Sequence, residues 1–223
     1  MKKYMWLLLA VLIIIGGCGM NNDKEENLSP SEMNAEDLPD VPALQDEFTR
    51  EFIQSTEPVR EGFYPFLSKS NSFTMDFPEE MVIDYKFHNI GPNNRSETIT
   101  FSHLDKGEEV FLNFSLDYYK GEPIEENVED RISKSHGEDL EFKKIKTEND
   151  TTLSVADYKF NEQLYNIAGF SWNEIGNIDI SVSLRCNDIL DSEDCQKQII
   201  NHKEKVIELL KTINIVTIEE EWW

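Results

Sequence analysis

The feature that most constrains the fold is a regular alternation of apolar and polar positions. Apolar residues occupy every second position from Val110 to Tyr118 and again from Ile178 to Cys186. Because side chains of a β-strand point alternately to its two faces, each run predicts a strand with one buried face. A sheet with one polar face is typical of antiparallel pairing, so we expect an antiparallel sheet rather than a fully buried parallel one.

Shorter segments show the same period. Their close spacing along the chain favours antiparallel meanders over units in which a helix separates successive strands. The additional predicted strands are Phe73–Phe77, Ile83–Phe87, Thr98–Phe101, Leu153–Phe160, Leu164–Trp172 and Ile215–Ile218.

Three segments instead show helical spacing. In Ala43–Thr56 an apolar residue recurs every fourth position, which predicts a short amphipathic helix. Pro123–His136 and Glu193–Thr212 each have one apolar stripe, and Gly137 suits the position after the first of them. Together the elements predict one α+β domain over residues 43–223, with a core of about 63–218, in which two or three helices cover an antiparallel sheet.

The N-terminus has the features of an export signal. Lys2 and Lys3 precede an apolar stretch from Tyr4 to Ile15, which is shorter than the roughly 20 residues of a membrane-spanning helix. The quartet Ile15-Gly16-Gly17-Cys18 resembles the lipobox of bacterial lipoproteins. That resemblance implies cleavage of residues 1–17 and attachment of lipid, as diacylglyceryl and palmitate, at Cys18. An ordinary secretory signal with an incidental cysteine is the alternative.

Charge limits the partners of the mature chain. The full chain has a net charge of −23, which becomes −25 when Lys2 and Lys3 are removed with the signal. Such a body repels the phosphate backbone of nucleic acids and the anionic head groups of lipids. The lipid bilayer is therefore expected as a partner only through diacylglyceryl on Cys18. An envelope protein or a cationic ligand fits the acidic surface, which otherwise serves solubility.

Residues 18–42 are expected to form a disordered tether. The stretch after Cys18 is acidic, contains three prolines and lacks any sustained apolar period. The tether would hold the folded domain away from the membrane.

Two cysteines remain after Cys18. Cys186 ends a predicted strand and Cys195 lies in the first turn of the last predicted helix. An even pair in an exported chain predicts a disulfide bond. A redox-active pair or a metal-binding pair is the alternative, although the spacing is not CxxC.

No motif indicates catalysis or a cofactor. Asp188, Asp191 and Asp194 lie close together and could supply oxygen ligands to calcium, but they lack the order of an EF-hand loop. Their other interpretation is favourable charge at a helix N-terminus. The four histidines form no metal-ligand motif, and no nucleotide-binding or nucleophile motif is present. We therefore expect no cofactor and no enzymatic activity.

The C-terminus ends in Trp222 and Trp223 after three glutamates. Tryptophan is a frequent anchor of protein interfaces. The two residues either bind a partner or pack back onto the domain.

The order of elements resembles PsbP-like domains. The segment Phe73–Pro78 is similar to their entry, an aromatic strand followed by proline, and a strand meander, a middle helix, more strands and a C-terminal helix follow. The resemblance covers roughly residues 63–218. It implies a non-catalytic accessory or binding module.

These patterns lead to one main functional hypothesis. The chain is expected to be a non-enzymatic accessory or binding lipoprotein, tethered to the outer face of the cytoplasmic membrane, in a Gram-positive cell. An envelope hydrolase that uses acidic residues is the first alternative, and it requires a cleft with paired carboxylates. A small ligand-binding lipoprotein is the second. A flat sheet face with aromatic side chains would favour the binding module.

Overall fold

The computed structural model of the chain describes residues 29–103, 109–121, 123 and 125–216. Within these residues, no helix is both long enough and apolar enough to cross a membrane. The helices are α1 (Pro42–Gln45), α2 (Glu47–Arg50), α3 (Glu125–His136) and α4 (Ser192–Leu210), with 3-10 turns at Pro30–Glu32, Ala35–Asp37 and Pro92–Asn94.

The strands form two antiparallel sheets. The small sheet has the order β1-β2-β11, and the large sheet has the order β3-β5-β6-β10-β9-β8-β7, with β4 beside β5. The strands are β1 (Phe63–Leu67), β2 (Phe73–Pro78), β3 (Met81–Ile83), β4 (Asn89–Ile90), β5 (Ser96–His103), β6 (Val110–Lys120), β7 (Lys143–Lys146), β8 (Thr152–Lys159), β9 (Leu164–Trp172), β10 (Gly176–Cys186) and β11 (Asn214–Ile215).

The main core lies between the inner face of the large sheet and two covering elements. The small sheet packs there through aromatic side chains, with ring centroids 5.1 Å apart for Phe77 and Phe101. Helix α4 covers the rest with the apolar stripe that its sequence predicts, including the buried Ile199 and Val206. This arrangement confirms the predicted α+β fold with a largely antiparallel sheet.

Helix α3 packs on the opposite, outer face of the large sheet. Val128 and Ile132 contact Ala168 and Phe170 of β9 in a second, smaller apolar cluster. The helix ends at His136 and is followed by Gly137, whose φ of +70° lies in the left-handed region that favours glycine. The domain therefore has three layers over β8 and β9, whereas no described element covers the outer face over β5, β6 and β10.

The N-terminal segment differs from the predicted tether. Residues 18–28 lie outside the described residues, but residues 29–42 pack on the domain instead of forming a disordered spacer. Pro30 and Leu38 are buried, and Met33 and Val41 pack against the core. A few apolar side chains and proline-initiated turns are enough to fix this acidic stretch, although its average composition suggests disorder.

The predicted helix over Ala43–Thr56 is also interrupted. It forms two separate turns, α1 and α2, because Asp46 has an extended backbone and acts as the N-cap of α2. The Asp46 carboxylate accepts hydrogen bonds from the Thr49 backbone N–H at 2.8 Å and from the Thr49 hydroxyl at 2.6 Å. A side chain that bonds the local backbone competes with helix continuation and favours a cap.

The alternation over Ile83–Phe87 does not form a strand throughout. Strand β3 ends at Ile83, and residues 84–88 form a turn in which the Asp84 side chain accepts a bond from the Lys86 N–H at 3.0 Å. Tyr85 and Phe87 are therefore exposed, at 64% and 62%, although their spacing predicts burial on one strand face.

The predicted disulfide bond is present between Cys186 and Cys195, with Cα atoms 5.8 Å apart. It joins the end of β10 to the first turn of α4, and both residues are buried. The bond therefore ties the last helix to the sheet across a short loop.

Removing both cysteines is expected to destabilise the domain. A Cys186→Ala/Cys195→Ala variant should lose about 2–3 kcal/mol of unfolding free energy, because the unfolded chain gains the freedom of the opened loop. Urea unfolding of the variant against the oxidised protein measures this loss. Reducing agent should lower the stability of the parent protein by a similar amount and leave the double variant unchanged. Equal stability of all these samples would contradict a structural role.

Candidate functional site

The candidate site is the uncovered outer face of β5, β6 and β10, here called the open face. Its side chains are half-buried except for the exposed Tyr119 and Arg185. The members of the open face are Thr98, Thr100, Ser102, Phe111, Asn113, Ser115, Asp117, Tyr119, Asp179, Ser181, Ser183 and Arg185.

The centre of the open face is rich in hydroxyl groups. The strand register sets Thr100 opposite Ser115 and Ser115 opposite Ser181, so that three short side chains form one row across the sheet. Among the described residues, none forms a hydrogen bond with these three hydroxyl groups. The row therefore offers donors and acceptors to solvent or to a partner.

One end of the open face contains a network of charged and aromatic groups. The Arg131 guanidinium of α3 pairs with the Asp179 carboxylate and lies 5.9 Å from the centroid of the Tyr119 ring. The Thr98 hydroxyl donates to Asp117 at 2.6 Å. Burial, followed by the carboxylates of Asp117 and Asp179, raises the pKa of Tyr119 above its ordinary value. The phenol is therefore neutral and can donate a hydrogen bond at physiological pH.

The other end presents Phe111 beside Arg185. The two residues are paired directly in the register of β6 and β10. The Arg185 guanidinium is exposed and forms no ion pair with any residue that the structure describes. Aromatic residues and arginine are enriched among the anchors of protein interfaces. Both ends of the open face thus have interface-type side chains around a small-residue centre.

A cavity of about 230 Å³ lies between α4 and the sheet on the opposite side of the molecule. Its lining combines apolar side chains with polar groups from the residue before β3, from β5 and from α4. The polar lining residues are Glu80, His103, His202 and Lys205, and the apolar lining residues are Phe63, Pro78, Met81, Leu112, Phe114, Val206 and Leu209.

Hydrogen bonds assign the tautomers of the two imidazoles in this cavity. The Leu112 backbone N–H donates to His103 Nδ1 at 3.2 Å, so a neutral His103 carries its proton on Nε2, which is 4.0 Å from a Glu80 oxygen. His202 Nδ1 donates to the Gln198 carbonyl at 2.8 Å, so its Nε2 is an acceptor. Of the described lining residues, Glu80 alone carries a carboxylate.

The acidic residues near the disulfide act at the start of α4. The Asp191 carboxylate accepts the backbone N–H groups of Glu193 and Asp194, each at 2.9 Å, as a helix N-cap does. Asp194 also forms an ion pair with Lys197 at 3.4 Å. In the part of the chain that the structure describes, no three His, Cys, Asp or Glu side chains group as a metal site, Asp188 included.

The remaining predicted site residues lie elsewhere. Cys18, Trp222 and Trp223 are outside the described residues. Of the histidines, His88 contacts Glu97, whereas His103 lines the cavity.

The sequence interpretation missed a buried carboxylate at Glu97. Its side chain has no exposed surface. The carboxylate accepts hydrogen bonds from the Lys69 N–H at 3.1 Å and the Ser70 N–H at 2.8 Å. His88 Nε2 lies 3.0 Å from the same carboxylate. Glu97 follows the apolar period of β5, two residues before the buried Ile99. A charged residue in phase with a buried strand face is the signal that could have identified it.

Comparison with known proteins identifies relatives of this chain. The family described as "Putative lipoprotein YvcA" matches residues 39–214. The protein of that name from Bacillus subtilis (strain 168) is 37% identical over 131 residues, which cover 55% of this chain and 54% of the relative. The chain therefore spans about half the length of that relative.

A solved structure shows only a weak likeness. The crystal structure of a Bacteroides thetaiotaomicron VPI-5482 protein at 1.50 Å covers 73% of this chain and 52% of its own, with 16% identity and a TM-score of 0.40. That likeness supports no statement about function. The family match, which extends over most of the described domain, shows that the chain belongs to the lipoprotein family described as "Putative lipoprotein YvcA".

Proposed function

We propose that this lipoprotein is a non-enzymatic binding module, held on the outer face of the cytoplasmic membrane of a Gram-positive cell by lipid on Cys18. Its open face binds another protein of the envelope. The observation that carries the proposal is the open face itself, a row of hydroxyl groups with interface-type side chains at both ends. The N-terminal lipobox resemblance and the family membership support the anchored location.

The geometry favours binding over hydrolysis. An envelope hydrolase that uses two carboxylates needs both in one cleft, with environments that push their pKa values apart. On the open face, Asp117 and Asp179 are opposite each other in register, but they are engaged by Thr98 and Arg131. Carboxylates that are already engaged in this way are poorly placed to attack a substrate.

A PsbP-like domain is part of the same proposal. The described order of meander, middle helix α3, strands β7–β10 and helix α4 agrees with the order that the resemblance implies. PsbP-like domains are accessory or binding modules, which is consistent with a partner face rather than a catalytic cleft.

Site-specific photocrosslinking tests the proposed partner face. A photoreactive amino acid replaces Ser181 at the centre of the open face, in lipidated protein expressed in its native cells. We expect a discrete protein adduct, because a bound envelope protein would lie directly over this row. Mass spectrometry of the adduct then identifies the partner.

Two further variants make the result specific. The matched control has the photoreactive group at Ile200, which is exposed at 54% on α4, away from the open face. Adding Phe111→Ala and Arg185→Ala to the Ser181 probe should strongly reduce the adduct, since interface anchors carry most binding energy. An adduct from Ile200 but not from Ser181, or no effect of the double change, would contradict the proposal.

A further inference from the structure

The turn after β3 presents two large aromatic side chains to solvent. Tyr85 and Phe87 are 64% and 62% exposed, with Lys86 between them. The Lys86 ammonium lies 5.7 Å from the centroid of the Tyr85 ring and forms no ion pair with any described residue. We call residues 85–87 the aromatic turn.

The aromatic turn lies on the side of the domain where the chain enters from its N-terminus. Ser29 is the first described residue, and the 3-10 turn that follows it, Pro30–Glu32, packs against α2. Phe48 of α2 in turn contacts the Tyr85 ring, with centroids 6.4 Å apart. The turn and the point of chain entry therefore flank the same helix.

The chain between the lipid site and this entry point is short. Ten residues lie between Cys18 and Ser29, so eleven residue-to-residue steps join the two. Even fully extended, they span at most about 40 Å, at about 3.3–3.6 Å for each residue. The tether therefore leaves the side that includes Ser29 and the aromatic turn within reach of the membrane surface.

The side chains of the turn fit the boundary between lipid and water. Aromatic residues with a polar atom, such as tyrosine, prefer the head-group level of a bilayer, and a lysine beside them can reach phosphate oxygens. A second cation, Lys69, lies 4.5 Å from the centroid of the Phe48 ring and pairs with Glu51. The rest of the body is strongly acidic and is repelled by anionic lipids, so contact is restricted to a small surface.

We propose that the aromatic turn, Tyr85-Lys86-Phe87, inserts its side chains into the head-group region of the bilayer and orients the domain. The inference rests on lipid attachment at Cys18, which belongs to the proposed function. The turn adds a second, weak contact to the lipid anchor. With this contact, the domain has a defined side toward the membrane.

The test places a label on the turn in the full, lipidated protein. In a Phe87→Cys variant the new thiol is the free one, because Cys18 carries lipid and Cys186 is bonded to Cys195. The thiol is labelled with a polarity-sensitive fluorophore, and the protein is reconstituted in vesicles that contain lipids with a nitroxide quencher near the head group.

Phe160 provides a matched control. It is 64% exposed, as the residues of the turn are, but it follows β8, five strands away from β3 in the sheet. At about 4.8 Å for each strand spacing, this is a distance of roughly 24 Å. A Phe160→Cys label therefore reports the same chemistry on a part of the surface that lies far across the sheet from the turn.

We expect quenching at position 87 to be several-fold stronger than at position 160, with a blue-shifted emission only at 87. Lys86→Glu should reduce the quenching at 87 in vesicles with anionic lipid more than in zwitterionic ones. Equal quenching at the two positions on vesicle-bound protein would overturn the proposed insertion of the aromatic turn without contradicting the lipid anchor. Failure of both labelled proteins to stay on vesicles would overturn the anchor and the inference together.

Discussion

A Glu97→Ala variant is expected to lose roughly 2–5 kcal/mol of unfolding free energy, because two backbone N–H groups that donate to its carboxylate lose their acceptor. Of these two groups, the Ser70 N–H is buried and the Lys69 N–H is half-buried, and a buried donor without an acceptor costs about 1–3 kcal/mol. His88 Nε2 also loses its partner at 3.0 Å. Urea denaturation monitored by tryptophan fluorescence measures the loss.

Two further substitutions define what the Glu97 carboxylate contributes. Glu97→Gln keeps one oxygen acceptor but places its amide NH2 group opposite one of the two N–H donors. We therefore expect an intermediate loss of unfolding free energy and a protein that still folds. Thr100→Ala, three residues along β5 on the open face, removes no intramolecular bond and should change stability by at most about 0.5 kcal/mol. If Glu97→Ala changed the unfolding free energy as little as Thr100→Ala, the contacts of the Glu97 carboxylate would not contribute to stability.

A Cys18→Ala variant is expected to lose membrane anchorage almost completely. Without the thiol, no lipid can be attached, so two acyl chains no longer hold the protein at the membrane. The mature chain, with a net charge of −25, is instead repelled by anionic lipids. The protein should appear in the medium or remain as an uncleaved precursor. Cell fractionation with immunoblotting distinguishes both products from the mature, membrane-bound form by location and size.

The double cysteine variant is a matched control for this experiment. Cys186→Ala/Cys195→Ala also removes thiols, but it affects only the link between β10 and α4. This protein should be processed and retained like the parent. Retention and processing of Cys18→Ala at the parental level would instead exclude lipid anchoring at this residue.

Local sequence patterns predicted most of the large sheet because burial of one strand face repeats every second residue. Val110–Tyr118 and Ile178–Cys186 became the cores of β6 and β10, which pair with each other along their length. The same rule was wrong over Ile83–Phe87, where the Asp84 side chain stabilises a turn. The alternation of apolar and polar residues therefore predicts which side chains of a strand are buried. It does not show where local hydrogen bonds end a strand.

Average composition was a weaker guide than individual side chains. The acidic, proline-rich residues 29–42 suggested disorder, yet Pro30 and Leu38 are buried against the domain. A few apolar contacts with a preformed surface decide the structure of such a segment. They depend on α2 and the core, which a composition average over neighbouring residues cannot represent.

The sequence by itself determined the properties that depend on neighbours along the chain. These are the lipobox resemblance at Cys18, the alternation that specifies the sheet, the helix of residues 192–210, and the close cysteine pair that forms the bridge. Each is encoded within about 20 consecutive residues by a period, a spacing or a charge pattern. Such signals can be identified without knowledge of the fold.

Only the tertiary structure decided which surfaces and buried groups come together. The open face exists because α3 covers β9 and leaves β5, β6 and β10 uncovered. Glu97 meets the backbone of Lys69 and Ser70, more than 25 residues earlier, because the turn between β1 and β2 reaches β5. The aromatic turn likewise lies beside the point of chain entry through α2. Contacts over long sequence separations depend on packing, and no local period contains them.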